Sequence, residues 1–141
     1  MTQLEQAIPA LCAWREARGG GTPGMQSVIN VLSNRAKHNN TTLYIEATKY
    51  EQFTSIAPPA GMTAQQSEAD LWPTKINSYE WSLYLTAEDL VSLAIAGTLP
   101  DITGGATMYY AESMTEPPKW DWSKLQYTVT IANQKFFKVI A

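Results

Sequence analysis

Three consecutive glycines, Gly19-Gly20-Gly21, separate two segments that each read as helix, and no other feature constrains the chain as much. Glycine loses more backbone freedom on ordering than any other residue, so three in a row stop a helix and turn the chain. Residues 9–18 fit the helix before them, with Pro9 tolerated in its first turn. Thr22 as N-cap and Pro23 at the first helical position open the helix after them. Met25, Val28, Ile29, Leu32 and Ala36 recur at helical spacing, an apolar stripe most simply read as core. Asn39-Asn40 ends this helix, and Thr42 caps a short one running through Ala47.

The stretch Trp14-Arg15-Glu16-Ala17-Arg18 puts a carboxylate in the last turn before the glycines. The partial negative charge of a helix C-terminus disfavours an anion there, and desolvation by Trp14 adds to the effect. Both favour the neutral acid, and a carboxylic acid that keeps its proton near neutral pH is what general-acid cleavage of a glycosidic bond needs. The plainer alternative is a helix-end glutamate paired with Arg15 or Arg18, which position alone favours.

Residues 54–85 are looser. Pro58-Pro59 and Gly61 mark a turn, and Thr63 with Gln66 resembles a capping box for a helix ending before Pro73. Trp72, Tyr79, Trp81 and Tyr84 suggest an ordered insertion. Thr86 and Asp89 then open a helix over 87–96, closed by Gly97 and Pro100. Met108-Tyr109-Tyr110 predicts a short strand. Leu125, Tyr127, Val129 and Ile131 alternate with polar residues, and residues 132–134 offer a turn into 135–140, a β-hairpin. The expected fold is mainly α (α+β), a helical body with a small β-hairpin, in a single domain over 1–141.

Hydrophobic residues at 45 % and charged residues at 16 % describe one globular domain. A net charge of −3 supplies no basic face, so nucleic acid is not an expected partner. One cysteine, Cys12, excludes an internal disulfide and suits synthesis in a reducing compartment. With one histidine, His38, the histidine-rich ligand set of a catalytic zinc is missing, so a zinc amidase is not expected, and nothing in the sequence implies a metal or other cofactor. Cys12 lies among apolar helix neighbours and reads as a buried thiol, leaving a cysteine hydrolase as a distant option. No apolar run spans a bilayer, and the first residues lack the features of a secretory signal. Synthesis in the cytoplasm is therefore the expectation, and with nothing suggesting a coiled coil or obligate interface the expected state is a monomer.

Taken together, Glu16-Ala17-Arg18-Gly19, Val31-Leu32-Ser33-Asn34-Arg35, Gln52-Phe53, Gly97 with residues 101–106, and Ile131-Ala132-Asn133-Gln134-Lys135-Phe136-Phe137 resemble the catalytic domain of SleB-type cell-wall hydrolases. These include spore-cortex-lytic enzymes and phage endolysins. The resemblance implies a lysozyme-like helical fold, peptidoglycan as the partner and Glu16 as the catalytic acid. It also implies action at the cell wall, and with no secretory signal seen, holin-type release is the expected route there. The family commonly has histidine where this chain has Gln134, and glutamine keeps a hydrogen bond but cannot titrate.

Hydrolysis needs a second carboxylate. The second acidic position of T4-type phage lysozymes falls on Met25, which favours a lytic transglycosylase working with one glutamate; muramidase hydrolysis or a non-catalytic peptidoglycan-binding or phage structural module are the alternatives. Asp101 is the candidate second carboxylate, against a turn or capping role before Thr103-Gly104-Gly105. Thr103 and Gly104 are candidate substrate contacts, since glycine lets a sugar approach the backbone. Tyr109 and Tyr110 are candidates for stacking on sugar rings, one facing the cleft and the other the core. Gln52, Phe53 and Gln134 complete the candidate binding set, while Trp120 and Trp122 in a proline-flanked loop would suit a glycan groove. Asn34 and Arg35, within or beside the core stripe, read as structural residues in a hydrogen bond or an ion pair.

Overall fold

The computed structural model describes residues 2–49 and 78–140. Helix α1 (Gln3–Ala17) is central and packs against α2 (Gly21–Asn39), α3 (Leu43–Thr48) and α4 (Ser78–Ile95). Its residues Pro9 to Trp14 are all buried, the pattern of a helix surrounded by others. It begins six residues before the expected start. Thr2 and Glu5 form a capping box that satisfies its first amides, and burial outweighs the interior Pro9, which costs about 3 kcal/mol in an isolated helix.

Helix α2 buries Met25, Val28, Ile29 and Leu32 as the stripe predicts, with Val31 beside them. It starts at the glycines: Gly20 is its N-cap and makes no side-chain cap bond, so Thr22 is an exposed first-turn residue and not the cap. At its other end Asn40 takes the left-handed conformation (φ 54°), and Thr42 accepts a hydrogen bond from the Ile45 amide to cap α3.

The structure corrects the expected start of α4. Thr86 is inside the helix, its hydroxyl donating to the Ser82 carbonyl, a local bond that replaces any capping role. Tyr79, Trp81 and Tyr84 therefore belong to α4 and not to an insertion. Its end follows the expectation: the Gly97 amide bonds the Ala94 carbonyl and the Thr98 amide that of Leu93, the paired bonds of a Schellman motif. The expected helix after Thr63 and the aromatic Trp72 lie outside the described residues.

The β-hairpin gains a third strand. β1 (Met108–Ala111), β2 (Leu125–Ile131) and β3 (Gln134–Val139) form an antiparallel sheet in the order β1-β3-β2. A bulge at Thr128 separates the pairs Tyr127–Phe137 and Val129–Phe136. The four alternating residues of β2 therefore do not share a face: Val129 and Ile131 pack on the core with Phe136, while Tyr127 faces outward with Phe137.

Candidate active site

Glu16 sits in the last turn of α1, partly exposed. The chain leaves the helix through a 3-10 turn (Arg18–Gly20) and reaches Gly21 at φ 64°, ψ −154°, a conformation open essentially only to glycine. Gly20 is needed for a different reason. A β-carbon there would stand 2.4 Å from the Cβ of Ala132, so the bare backbone lets the β2–β3 turn seat against the corner. That turn consists of Ala132 and Asn133, both at positive φ (50° and 65°), the two-residue form that suits strand twist. Holding an alanine there costs about 1 kcal/mol.

Seating the turn brings Gln134 to Glu16. Together with Gly19, Gly20, Ala132 and Asn133 they line a cavity of about 350 Å³. Among the described lining residues Glu16 is the one ionisable group. Gln134 adds an amide that both donates and accepts. The cavity thus offers a proton-transfer group beside hydrogen-bonding backbone, with room for a sugar linkage.

Arg18 does not pair with Glu16. Arg18 pairs with Glu80 at 3.1 Å, its guanidinium 4.2 Å from the Trp14 ring centroid, and the Trp14 indole N–H donates to the same Glu80 oxygen at 3.1 Å. This ties the end of α1 to the start of α4. Among the described residues Glu16 forms no ion pair.

Tyr109 lies on the inner face of the sheet, its ring stacked on Phe136 at 5.4 Å between centroids. Burial pushes its phenol pKa well up, and the nearby Glu16 carboxylate and then Cys12 push it further. Tyr110 points to the opposite face, stacked on Phe137, so the two tyrosines divide between faces as alternation requires.

Asp101 is engaged elsewhere. Its Oδ1 accepts from the Thr103 amide and hydroxyl at 2.8 and 2.7 Å, and its Oδ2 from the Gly105 amide and Asn34 at 2.9 and 3.0 Å. Desolvation pushes this carboxyl up, but the bonds from Thr103, Asn34 and Gly105 outweigh it and hold the pKa below the ordinary value. Thr103 is fully buried and also accepts from the Ala106 amide. Gly104 backs onto Thr128, whose hydroxyl donates to the Thr103 carbonyl at 2.6 Å. This loop is fastened to α2: Asn30 binds the Pro100 carbonyl and Ile102 amide, Asn34 the Ala106 carbonyl, and Arg35 the Thr107 carbonyl at 2.6 Å. Asp101, Thr103 and Gly104 therefore shape the loop that carries β1 and grips the β2 bulge. Gln52 and Phe53 lie outside the described residues.

Sequence reasoning missed Ala132 and Asn133 as cavity residues, Glu80 as the partner of Arg18, and Asn30 as a loop anchor. Ala132 and Asn133 left a signal as the turn of the hairpin and as members of the terminal motif, whereas Glu80 and Asn30, which lies off the apolar stripe of α2, left none.

A model of the Cell Wall Hydrolase family matches residues 19–137, beginning three residues after Glu16. Among solved structures the chain is similar to the catalytic domain of the germination-specific lytic transglycosylase SleB from Bacillus anthracis. The TM-score is 0.68 and the identity 23 %, over 98 % of this chain and 97 % of that one. At that identity the likeness is one of fold. No curated protein matches.

Proposed function

This chain belongs to the cell wall hydrolase family, and from that premise we propose that it cuts the glycan strand of peptidoglycan at the MurNAc-β-1,4-GlcNAc bond with Glu16 as the catalytic acid. The observation that carries this reading is the cavity pairing Glu16 with Gln134 at the end of α1. The protein named in the structural comparison is a lytic transglycosylase with the same fold, and we assign that reaction here. Glu16 donates its proton to the glycosidic oxygen as the bond to the anomeric carbon breaks. The carboxylate then takes the proton of the same sugar's C6 hydroxyl while that oxygen bonds the anomeric carbon. The product is a 1,6-anhydro-muramyl end, no water is consumed, and Glu16 regains its proton.

Gln134 is assigned to hydrogen-bond the sugar, since it cannot exchange a proton. Inner-face Tyr109 is assigned to border the reacting sugar beside Glu16. Asp101 has its oxygens occupied by its own loop and Asn34, which supports a structural role for it over that of a hydrolase's second carboxylate. Mass spectrometry of muropeptides released from purified peptidoglycan tests the assignment. Anhydro-muramyl ends, one water lighter than hydrolysed ends, are expected. Reducing muramic-acid ends would replace transglycosylation by muramidase chemistry, and absence of any release would leave a wall-binding module.

In the cell this chemistry suits an endolysin admitted to the wall by a phage pore. Lysis on expression without any such pore would remove that role.

A further inference from the structure

The outer face of the sheet, opposite Phe136 and Tyr109, carries an aromatic cluster that the cleavage site does not use. Phe137 is its centre: Tyr110 stacks on it at 5.5 Å, Trp122 meets it edge-on at 5.1 Å and Tyr127 at 5.9 Å. These rings wall a groove of about 610 Å³ that is edged by Glu112 and Lys135. Trp122 is 38 % exposed and Tyr127 52 %, so much of their ring surface stays in water instead of stabilising the core. A contiguous exposed patch of this kind marks a binding surface more often than scattered apolar residues do.

We propose that this groove is a second glycan-binding site, holding an uncut stretch of the same polysaccharide while a bond is broken at Glu16; the proposal rests on the peptidoglycan reading above. Three observations select the occupant. A pyranose presents a flat face of C–H groups ringed by hydroxyls, which matches flat rings with polar groups at their margin. The groove's margin holds one cation and one anion, Lys135 and Glu112. Stacking grooves for phosphate polymers need a cationic track, whereas a sugar backbone is uncharged and takes one donor and one acceptor equally well.

The third observation is continuity. Gln134 lines the Glu16 cavity and Lys135, the next residue of β3, lines the groove. Successive residues of a strand face opposite sides with Cα atoms about 3.8 Å apart. One strand of the hairpin therefore serves both sites, and a chain held in the groove keeps its neighbouring linkages at high local concentration around Glu16. Linked sites of this kind raise retention by about 10²–10⁴-fold when both engage.

The test measures co-sedimentation of the Glu16→Gln protein with purified insoluble peptidoglycan, so that cleavage does not release the ligand. The same protein carrying Trp122→Ala or, separately, Tyr127→Ala is compared with it. Tyr127 is half exposed and its hydroxyl meets only that of Thr130 among the described hydrogen bonds, so its removal preserves the fold even where loss of Trp122 does not. Retention is expected to fall about tenfold or more in each folded variant. Retention within twofold of the parent in Tyr127→Ala, with an unchanged circular dichroism spectrum, overturns the proposal. So does failure of the Glu16→Gln protein to bind at all. Sedimentation velocity without peptidoglycan covers the other occupant: a dimer dissociated by the ring substitutions would make the groove a contact between copies. Cleavage by the unaltered protein is scored separately, so a groove without function is distinguished from a protein that does not act on peptidoglycan.

Discussion

Replacing Gly20 by alanine tests whether the glycine corner and the hairpin turn act as one device. The new methyl would stand 2.4 Å from the Ala132 Cβ, whereas ordinary contact begins at 3.4 Å, so the two must separate by about 1 Å. Neither carbon can swing aside, because each is fixed to its backbone, and the whole turn has to retreat with Gln134. Overpacking of this size costs about 1–3 kcal/mol, a fall in Tm of roughly 3–10 °C for a chain of this length. Displacing a substrate contact by about 1 Å lowers turnover by up to about 10²-fold. Ala132→Gly removes the methyl that is struck and relieves the alanine's left-handed backbone. Adding it to Gly20→Ala should therefore restore most of the Tm and activity, a strongly non-additive cycle. Thermal melts and dye release from labelled peptidoglycan measure both quantities. A Gly20→Ala protein with unaltered melting and turnover, or one that Ala132→Gly fails to rescue, would refute the coupling.

Glu16→Gln should leave the melting temperature within about 2 °C of the parent and reduce dye release by about 10²–10⁴-fold; retained release removes Glu16 from the reaction. Asp101→Asn should lower Tm by roughly 2–4 °C at pH 7, with the solvent exposure of the carboxylate keeping the effect small, and leave more activity than Glu16→Gln. Because the folded pKa of Asp101 lies below its ordinary 3.8, its ionised form stabilises the fold above about that pH, and the Tm difference should shrink as pH falls further. An undiminished difference at low pH would disprove the carboxylate's role. Tyr84 and Tyr109 give the opposite dependence. Burial raises both phenols above 10.0, aided by Glu88 for Tyr84 and by Glu16 for Tyr109. The unfolded chain releases these protons first, so stability is intact below pH 10 and falls above it, by about 1.4 kcal/mol per pH unit for each tyrosine. Denaturant melts of the double Tyr→Phe variant between pH 9 and 11 should show a shallower decline, and an identical slope would count against it.

Features governed by neighbours in the chain were legible before any coordinates. The stripe on α2, the cap at Thr42, the left-handed stop at Asn40 and the closure at Gly97 each depend on residues within about one turn of each other. The same local logic failed where distant burial overrode it. Pro9 signals a helix start, yet it lies inside α1 because the surrounding helices bury that segment. Thr86 has the chemistry of a cap, but α4 continues through it and the hydroxyl bonds one turn back. Alternation along β2 was visible, whereas the bulge that divides it between two faces depends on Thr128 reaching the loop at Thr103.

The candidate site divides in the same way. From the sequence alone came a glutamate at a helix end before three glycines, and the prospect of a single carboxylate doing the work. Tertiary structure decided that Arg18 turns to Glu80, that Asp101 accepts its hydrogen bonds from its own loop and Asn34, and that Gln134 lines one cavity with Glu16. The physical reason lies in range. Helix ends and turns follow from steric and hydrogen-bonding preferences over a few residues, while the cavity exists because Gly20 and Ala132 pack at a distance neither position's neighbours encode.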